Sequence, residues 1–579
     1  EVEDCGDGSF DSGDFILFYG QTMDGTSDLE MYINQAEVTN PYYNLYTDSS
    51  AYYLTSGAVN AKRIETNNTV TTVAQGYIEH KQQEVLSNQY SLGDEPVTYV
   101  FRSEFDAAEG WMGSSTKKGS AISFSALNFS HFKTVTGVQP NLVTRFAGRN
   151  KHQHNVSVTV GAQNTLNYDV PDFSGYSIQT DTILWGDSQL QSDQLEVTAS
   201  IEDVGAETDY VSLVYVDYYY PRDLDIAGVG ELAFRSSQSI GNNVEVQFRN
   251  AASATRVFDV SDINNVKALH HQQSGSDLSV QLKDARSNKS YYLVNPTSFL
   301  SPQSIKTVQF KELAQADYLM IYHSEFKQEV ERLAAFRETQ EGGGYNVLTI
   351  TQEEVVNWFG YGERTPMANR RFSLYMEENF GAQFLLLFGN GCAANMAASR
   401  TYNRKTTFDA APFDNKDFVM TYGAPGSDIM FSAKKNGTKL SPALATGRVP
   451  CYNIEEARSY VDKVLLHESV SYDDLWRKDI LHMSGGVNEA EGIAFKGYLE
   501  TVAPKAKTKY LGADVELFSK KTDAAVEFYN ISDKVNNGVS LITYFGHSGP
   551  NMTEIDIGLV SEDLNGYRNE GKYPFLWIN

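Results

Sequence analysis

The turn Gly546-His547-Ser548-Gly549-Pro550 follows directly on the apolar run 540–545. A low-bulk turn after a strand lets an imidazole project into a crevice and leaves backbone N–H groups free to meet an oxyanion. His547 is therefore the best single candidate for a general base, with Ser548 and Gly549 as the oxyanion turn. A histidine that merely caps a turn is the competing account, since a lone histidine is weak grounds for catalysis. The cysteines are Cys5, Cys392 and Cys451. Cys392, in Phe388-Gly389-Asn390-Gly391-Cys392, is the rival nucleophile because it too follows an apolar strand, although a small buried residue is its plainer role. Cys451 and Cys5 have less to recommend them.

An imidazole base works best when a third group orients it. Glu489 and Glu491 follow the Gly485-Gly486 turn, from which a carboxylate could reach the imidazole or a substrate side chain. Solvated loop acids are the plainer account of both in so acidic a chain. Glu554 and Asp556, in the loop after His547, could line the primed side of a cleft, but an exposed acidic loop accounts for them more simply. The sequence has no CxxC and no HxxxH-type cluster, so it carries neither a disulfide framework nor a zinc signature. No metal or other cofactor is expected, and calcium is not assigned.

The elements that must position these groups begin near Asp317. An apolar strand at 318–321 leads into a helical stretch with Phe326, Val330, Leu333 and Phe336 at helical spacing. Gly342-Gly343-Gly344 ends it and a second strand follows at 347–350, giving a βαβ unit. Helices at 369–379 and 455–467 alternate with strands at 384–388, 480–483, 540–545 and 573–578. That alternation predicts a mostly parallel sheet covered by helices on both faces, with chemistry at the carboxyl ends of its strands.

Residues 1 to about 310 have the short alternating strands of an all-β, sandwich-like region, such as 15–19, 52–54 and 211–216, separated by Gly, Asn, Asp and Ser clusters. The aromatic run 215–220 could be a binding platform, but in a sandwich strand it is more simply core on one face and rim on the other. The chain is thus divided into a β-rich region, 1–312, and an α/β domain, 313–579. With 579 residues, more than one core is needed. A formal charge of −27 would repel phosphate backbones and anionic lipids, so nucleic acid is an unexpected partner. No apolar run reaches the eighteen or so residues of a membrane span. The chain begins Glu-Val-Glu-Asp without Met or leader and reads as a piece of a longer protein.

Five ordered segments resemble the gingipain-type (C25) cysteine peptidases, a caspase-like fold. They are 318–347; Phe384 to Gly391; Gly447-Arg448-Val449-Pro450 with Glu456-Ala457 and Val461-Asp462-Lys463; Leu481 to Gly486; and the His547 turn with Lys572-Tyr573-Pro574-Phe575-Leu576-Trp577-Ile578-Asn579. The amino-terminal half is similar to the domain preceding the peptidase in PorU-type sortases of the type IX secretion system. The matching residues are Phe18-Tyr19-Gly20, Asn40-Pro41, Leu45-Tyr46-Thr47-Asp48, Tyr52-Tyr53-Leu54-Thr55 and Val216-Asp217 through Tyr220-Pro221-Arg222. The Gly-His-Ser-Gly-Pro and Trp-Ile-Asn endings favour the PorU2-type branch.

The resemblance implies acyl transfer through a thiolate, with His547 sharing the thiol proton and the nucleophilic cysteine one or two residues beyond Asn579. The 579-residue chain alone is then expected to be inactive. It further implies secreted proteins as substrates, components of a secretion system as partners, and a secreted or cell-surface location. A non-catalytic gingipain-fold scaffold or binding component of a secretion machine is the alternative. Two positions depart from the family pattern. Ser548 stands where a glycine often follows the histidine, and Asn390 replaces an aspartate that could bind metal or orient a partner.

Overall fold

In the strand Val156–Val160, Val156, Val158 and Val160 are buried and Ser157 and Thr159 are half-buried, the period-two pattern of a one-sided sheet. The computed structural model describes residues 2–3, 11–55, 63–94, 104–124, 127–203, 205, 208–236, 241–394, 417–436, 439–471, 473–549 and 552–578. Val156–Val160 lies in a four-stranded antiparallel sheet with Leu166–Asp169, Val197–Ile201 and Ala121–Ser123. Its apolar side chains share one core with Phe146, Leu213, Tyr218 and Tyr220 of a ten-stranded sheet. A second core joins Leu232, Phe234, Tyr291 and Leu293 of the same large sheet to Val244–Phe248 and Asp277–Leu282. The region is therefore all-β, with two sandwich cores built on one shared sheet.

The aromatic run lies within the long strand Tyr210–Arg222. Tyr218 and Tyr220 point into the first core, whereas Tyr215 joins a smaller cluster with Val214 and Met112. Between them Asp217 is buried and accepts hydrogen bonds from the Tyr42 hydroxyl at 2.7 Å and the Gln83 amide at 2.6 Å, with the Lys81 ammonium 3.0 Å away. The run is structural. The stretch 52–54 forms no strand. Leu54 is 78% exposed and Tyr53 is held by its hydroxyl, which donates to the carbonyl of Asn357, so three apolar residues found no sheet neighbour to cover them. Only Phe15–Ile16 of the 15–19 run is a strand.

The chain forms two compact units: 1–313 with 352–375 and 391–444, and 314–351 with 376–390 and 445–579. Two stretches of the carboxyl-terminal half thus pack with the amino-terminal part. There Tyr422 is buried, its hydroxyl donating to the carbonyl of Met31, and the N–H of Gly423 donates to the Tyr46 hydroxyl at 2.7 Å.

The second unit is α/β. Strands β1 (Tyr318–Tyr322), β2 (Val347–Thr351), β3 (Phe384–Phe388) and β4 (Ala445–Val449) form one sheet, and β5 (Asp479–Ser484), β6 (Asp514–Ser519), β7 (Leu541–Phe545) and β8 (Phe575–Ile578) form another. Every pairing in both sheets is parallel. The parallel strands expected from sequence are present, but divided between two sheets with the same order, β2-β1-β3-β4 and β6-β5-β7-β8. In each, the order reverses between the first and third strands in sequence, which is where a crevice opens at the carboxyl ends of an open parallel sheet.

Helix α1 (Lys327–Glu338) buries Val330, Leu333 and Ala334 on one face. Helices α2 (Ile454–Ser469) and α3 (Glu489–Ala506) are capped by Asn453 and Asn488, whose side chains accept N–H bonds from Glu456 and Glu491. The second sheet buries Leu481, Met483, Ile542 and Tyr544 against Ile531, Val535, Ile555 and Tyr567. On its other face Phe545 packs against Phe495 and Tyr498 of α3. Strand β8 is one of the two edge strands, and all four of its side chains are half or more exposed.

Candidate active site

The two strands flanking the reversal in the second sheet both end in glycine turns. Gly485-Gly486 follows β5 and Gly546-His547 follows β7, and the strands are in register as far as Ser484 opposite Phe545. The His547 side chain is 55% exposed, its ring lying beside Phe495 of α3. It therefore stands at the crevice edge, where the sequence places a general base.

Beneath it lies Glu554, only 6% exposed. Ser548–Gly549 pairs antiparallel with Met552–Thr553, a tight return that carries Glu554 back under the histidine. Glu554 Oε2 accepts the N–H of Gly486 at 2.7 Å and that of His547 at 3.0 Å, while Oε1 lies 3.2 Å from His547 Nδ1. The Tyr544 hydroxyl donates to the carbonyl of His547 at 2.8 Å and accepts the N–H of Glu554 at 3.1 Å. Burial works to raise the Glu554 carboxyl, but the backbone donors of His547 and Gly486, with the imidazole, hold it below its ordinary value. Burial, with the neighbouring carboxylate, pushes Tyr544 up to about 12, so it remains a donor.

The glycines are required by this packing. A Cβ on Gly485 would sit 2.1 Å from Glu554 Oε2, and one on Gly546 2.4 Å from the Tyr544 hydroxyl. Gly486 has φ +139°, and a Cβ there would meet the N of Gly492 at 2.6 Å.

The reading of Glu554 as an exposed loop acid is overturned by its burial and its four polar neighbours. Its signal in the sequence was only a carboxylate seven residues after the histidine, and a hairpin return is invisible to periodicity. Asp556 is exposed and accepts the N–H of Gly558. Glu491 is not in a loop but in the first turn of α3. Its Oε2 accepts the N–H of Val487 at 3.0 Å and lies 3.8 Å from His547 Nδ1. Glu489, in the same turn, is exposed and makes no bond to His547. Ser548 and Gly549 are exposed beside the imidazole.

Cys392 and Cys451 are buried, and neither is a hydrogen-bond partner of His547 among the described residues. Burial pushes the Cys451 thiol up to about 12, the opposite of what a nucleophile needs. Cys5 lies outside the described residues. Asn390 is buried, and its N–H donates to the carbonyl of Cys451. Among the described residues no group of three or more His, Cys, Asp or Glu is placed to hold a metal ion, and no helix is long and apolar enough to cross a membrane.

Residues 311–579 match the sequence profile of peptidase family C25. This segment is similar to the peptidase domains of that family. No curated protein matches the sequence. The crystal structure of dimeric latent PorU from Porphyromonas gingivalis shares the fold, with a TM-score of 0.50 at 16% identity, covering 74% of this chain and 44% of that one. The complex of RgpB pro- and mature domains from the same organism gives 0.32 at 16% identity over 45% of this chain and 54% of that one. The Arg-specific cysteine proteinase gingipain R gives 0.33 at 16% over 47% and 56%. The chain thus spans about half the length of these solved structures. A β-rich amino-terminal region followed by a gingipain-like α/β domain is the fold class, as the residue pattern and the family resemblance together indicated.

Proposed function

We propose that this chain is part of a cysteine endopeptidase or transpeptidase, with the peptidase domain running from about residue 313 behind the β-rich region 1–312. One observation carries the reading. Strand β8 runs parallel to β7 with Ile578 opposite Tyr544, so the residues that follow β8 leave the sheet at the edge where His547 stands. A cysteine there would meet the imidazole, which the buried Cys451 does not.

In that arrangement His547 Nε2 takes the thiol proton and the thiolate attacks the scissile carbonyl. The tetrahedral oxyanion collapses, and the imidazolium returns its proton to the departing amine. Water then releases the acyl group in a peptidase, and a second amine releases it in a sortase-like transpeptidase. The chemistry draws on imidazole and thiolate and is written without a metal. The family implies protein substrates. Secreted cargo, partners in a type IX secretion system and a secreted or cell-surface location are parts of the same proposal.

The test is alkylation of the full-length protein with iodoacetamide, with mass-spectrometric location of the modified thiol and cleavage of a fluorogenic peptide library before and after. Labelling of a cysteine just after residue 579, with loss of cleavage, supports the proposal. Loss of cleavage that tracks Cys392 instead sinks it. No cleavage at all, with a residue other than cysteine at that place, leaves a scaffold of the same fold. Adding an amine acceptor and looking for the transpeptidation product distinguishes sortase from protease.

A further inference from the structure

We infer that Glu554 is the positioning residue of His547: it fixes which ring nitrogen carries the proton and joins the two strand-end turns into one platform. This rests on the peptidase reading above.

Two carboxylates approach His547 Nδ1. Glu491 Oε2 is 3.8 Å away, beyond a hydrogen bond, and already accepts the N–H of Val487, while its side chain is 36% exposed. Glu554 Oε1 is 3.2 Å away and its side chain is 8% exposed, so its charge is screened far less by solvent. The carboxylate also has its second oxygen anchored by two backbone N–H groups, one from each turn. An ionised carboxylate only accepts hydrogen bonds, so Nδ1 holds the proton and the Nε2 lone pair is left for the thiol. The seat is built for this acid, because neither Gly485 nor Gly546 has room for a Cβ while Glu554 and Tyr544 are in place.

A second consequence concerns the oxyanion. The N–H groups of His547 and Gly486 are both directed onto Glu554. The donors that stabilise the tetrahedral intermediate are therefore other N–H groups of the crevice, such as those beyond His547 in the Ser548–Gly549 turn.

The charged and titratable groups facing His547 are Glu554 from the returning loop, Glu491 from the first turn of α3 and the Tyr544 hydroxyl from β7, which bonds its carbonyl. Histidine-selective 15N NMR of the full-length protein reads the tautomer directly. With Glu554 present, His547 is expected in the Nδ1–H form. In Glu554→Gln that preference is lost, because an amide can turn its NH2 toward Nδ1 and favour the other tautomer. On peptide substrates kcat falls about ten- to a hundred-fold with KM nearly unchanged. Glu491→Gln moves tautomer and kcat less. If Glu554→Gln folds poorly, as a thermal melt would reveal, Gly485→Ala keeps the charge but denies the carboxylate its seat, and it should give the same tautomer change.

An unchanged tautomer and kcat in Glu554→Gln, or a larger change in Glu491→Gln, overturns the inference. Full peptidase activity in His547→Ala would instead remove the peptidase reading, and the NMR measurement then decides the role of Glu554 by itself.

Discussion

The two parallel sheets of the α/β unit have the same strand order, and each has a histidine at its reversal point: His323 just after β1 and His547 after β7. Their environments differ in which ring nitrogen is occupied, and how. His323 caps the short turn Ser324–Phe326, its Nδ1 accepting the N–H of Glu325, so the neutral ring carries its proton on Nε2. His547 Nδ1 faces a buried carboxylate, which in the proposed mechanism leaves Nε2 as the base. In the first sheet the Gly389 carbonyl accepts the Arg448 guanidinium and the N–H of Asn390 meets the carbonyl of Cys451, so the turn after β3 is closed on protein groups. The two sheets share a reversal point, and the hydrogen bonds at the strand ends set the two rings apart.

The sharpest break between the two should come from removing each ring. His547→Ala is expected to lower kcat/KM of the full-length protein about a thousand-fold on peptide substrates. His323→Ala should leave it within about twofold and cost only about 1 kcal/mol of stability through the lost cap. Equal losses in both would erase the distinction between the sheets.

Next in size is the backbone of the second sheet. Gly486→Ala should destabilise by about 2–3 kcal/mol in urea unfolding, because a Cβ would meet the backbone of Gly492 at a φ of +139°. Gly485→Ala meets side-chain rather than backbone atoms and should cost less, about 1–2 kcal/mol through the displaced Glu554 carboxylate. A smaller cost for Gly486 than for Gly485 would show that the turn is not held as described.

The pH response sharpens the comparison further. The Glu554 carboxyl is held below its ordinary value of 4.5 in the folded state, so its stabilisation is complete above that value and lost as pH falls through the lower folded one. Hydrogen-exchange protection of the Gly486 and His547 amides should therefore fall in acid below about pH 4.5. The Asn390 amide, bonded to a carbonyl that does not titrate, should keep its protection at the same pH. Matching acid loss at Asn390 would point to general unfolding instead.

The smallest effects are expected at the thiols. Cys451, with its thiol pushed up to about 12, should resist iodoacetamide at pH 8 in the folded protein. Cys392→Ala should change kcat/KM less than twofold.

Several elements were legible because local physics determines them. The strand 384–388 was placed to the residue, since five consecutive large apolar side chains can only be covered on both faces. The helix 455–467 falls within Ile454–Ser469. Helix Glu489–Ala506 was missed because Gly492, Gly497 and Pro504 break its apolar spacing; tertiary packing of Phe495 and Tyr498 on Phe545 offsets the poor propensity. Strand Asp514–Ser519, with half-buried rather than core residues, was missed for a similar reason.

The place of His547 at a strand end was legible because a strand-end Gly-His turn is a local pattern, and so was the parallel α/β character of the segment that carries it. Glu554, the division of the strands into two sheets and the packing of 352–375 and 391–444 with the amino-terminal part were decided only in three dimensions. Residue types and spacing set which groups can donate, accept or titrate. Which of the acids near a histidine becomes its partner depends on where a loop returns and which N–H groups it finds there, and those contacts exist only after the chain has closed.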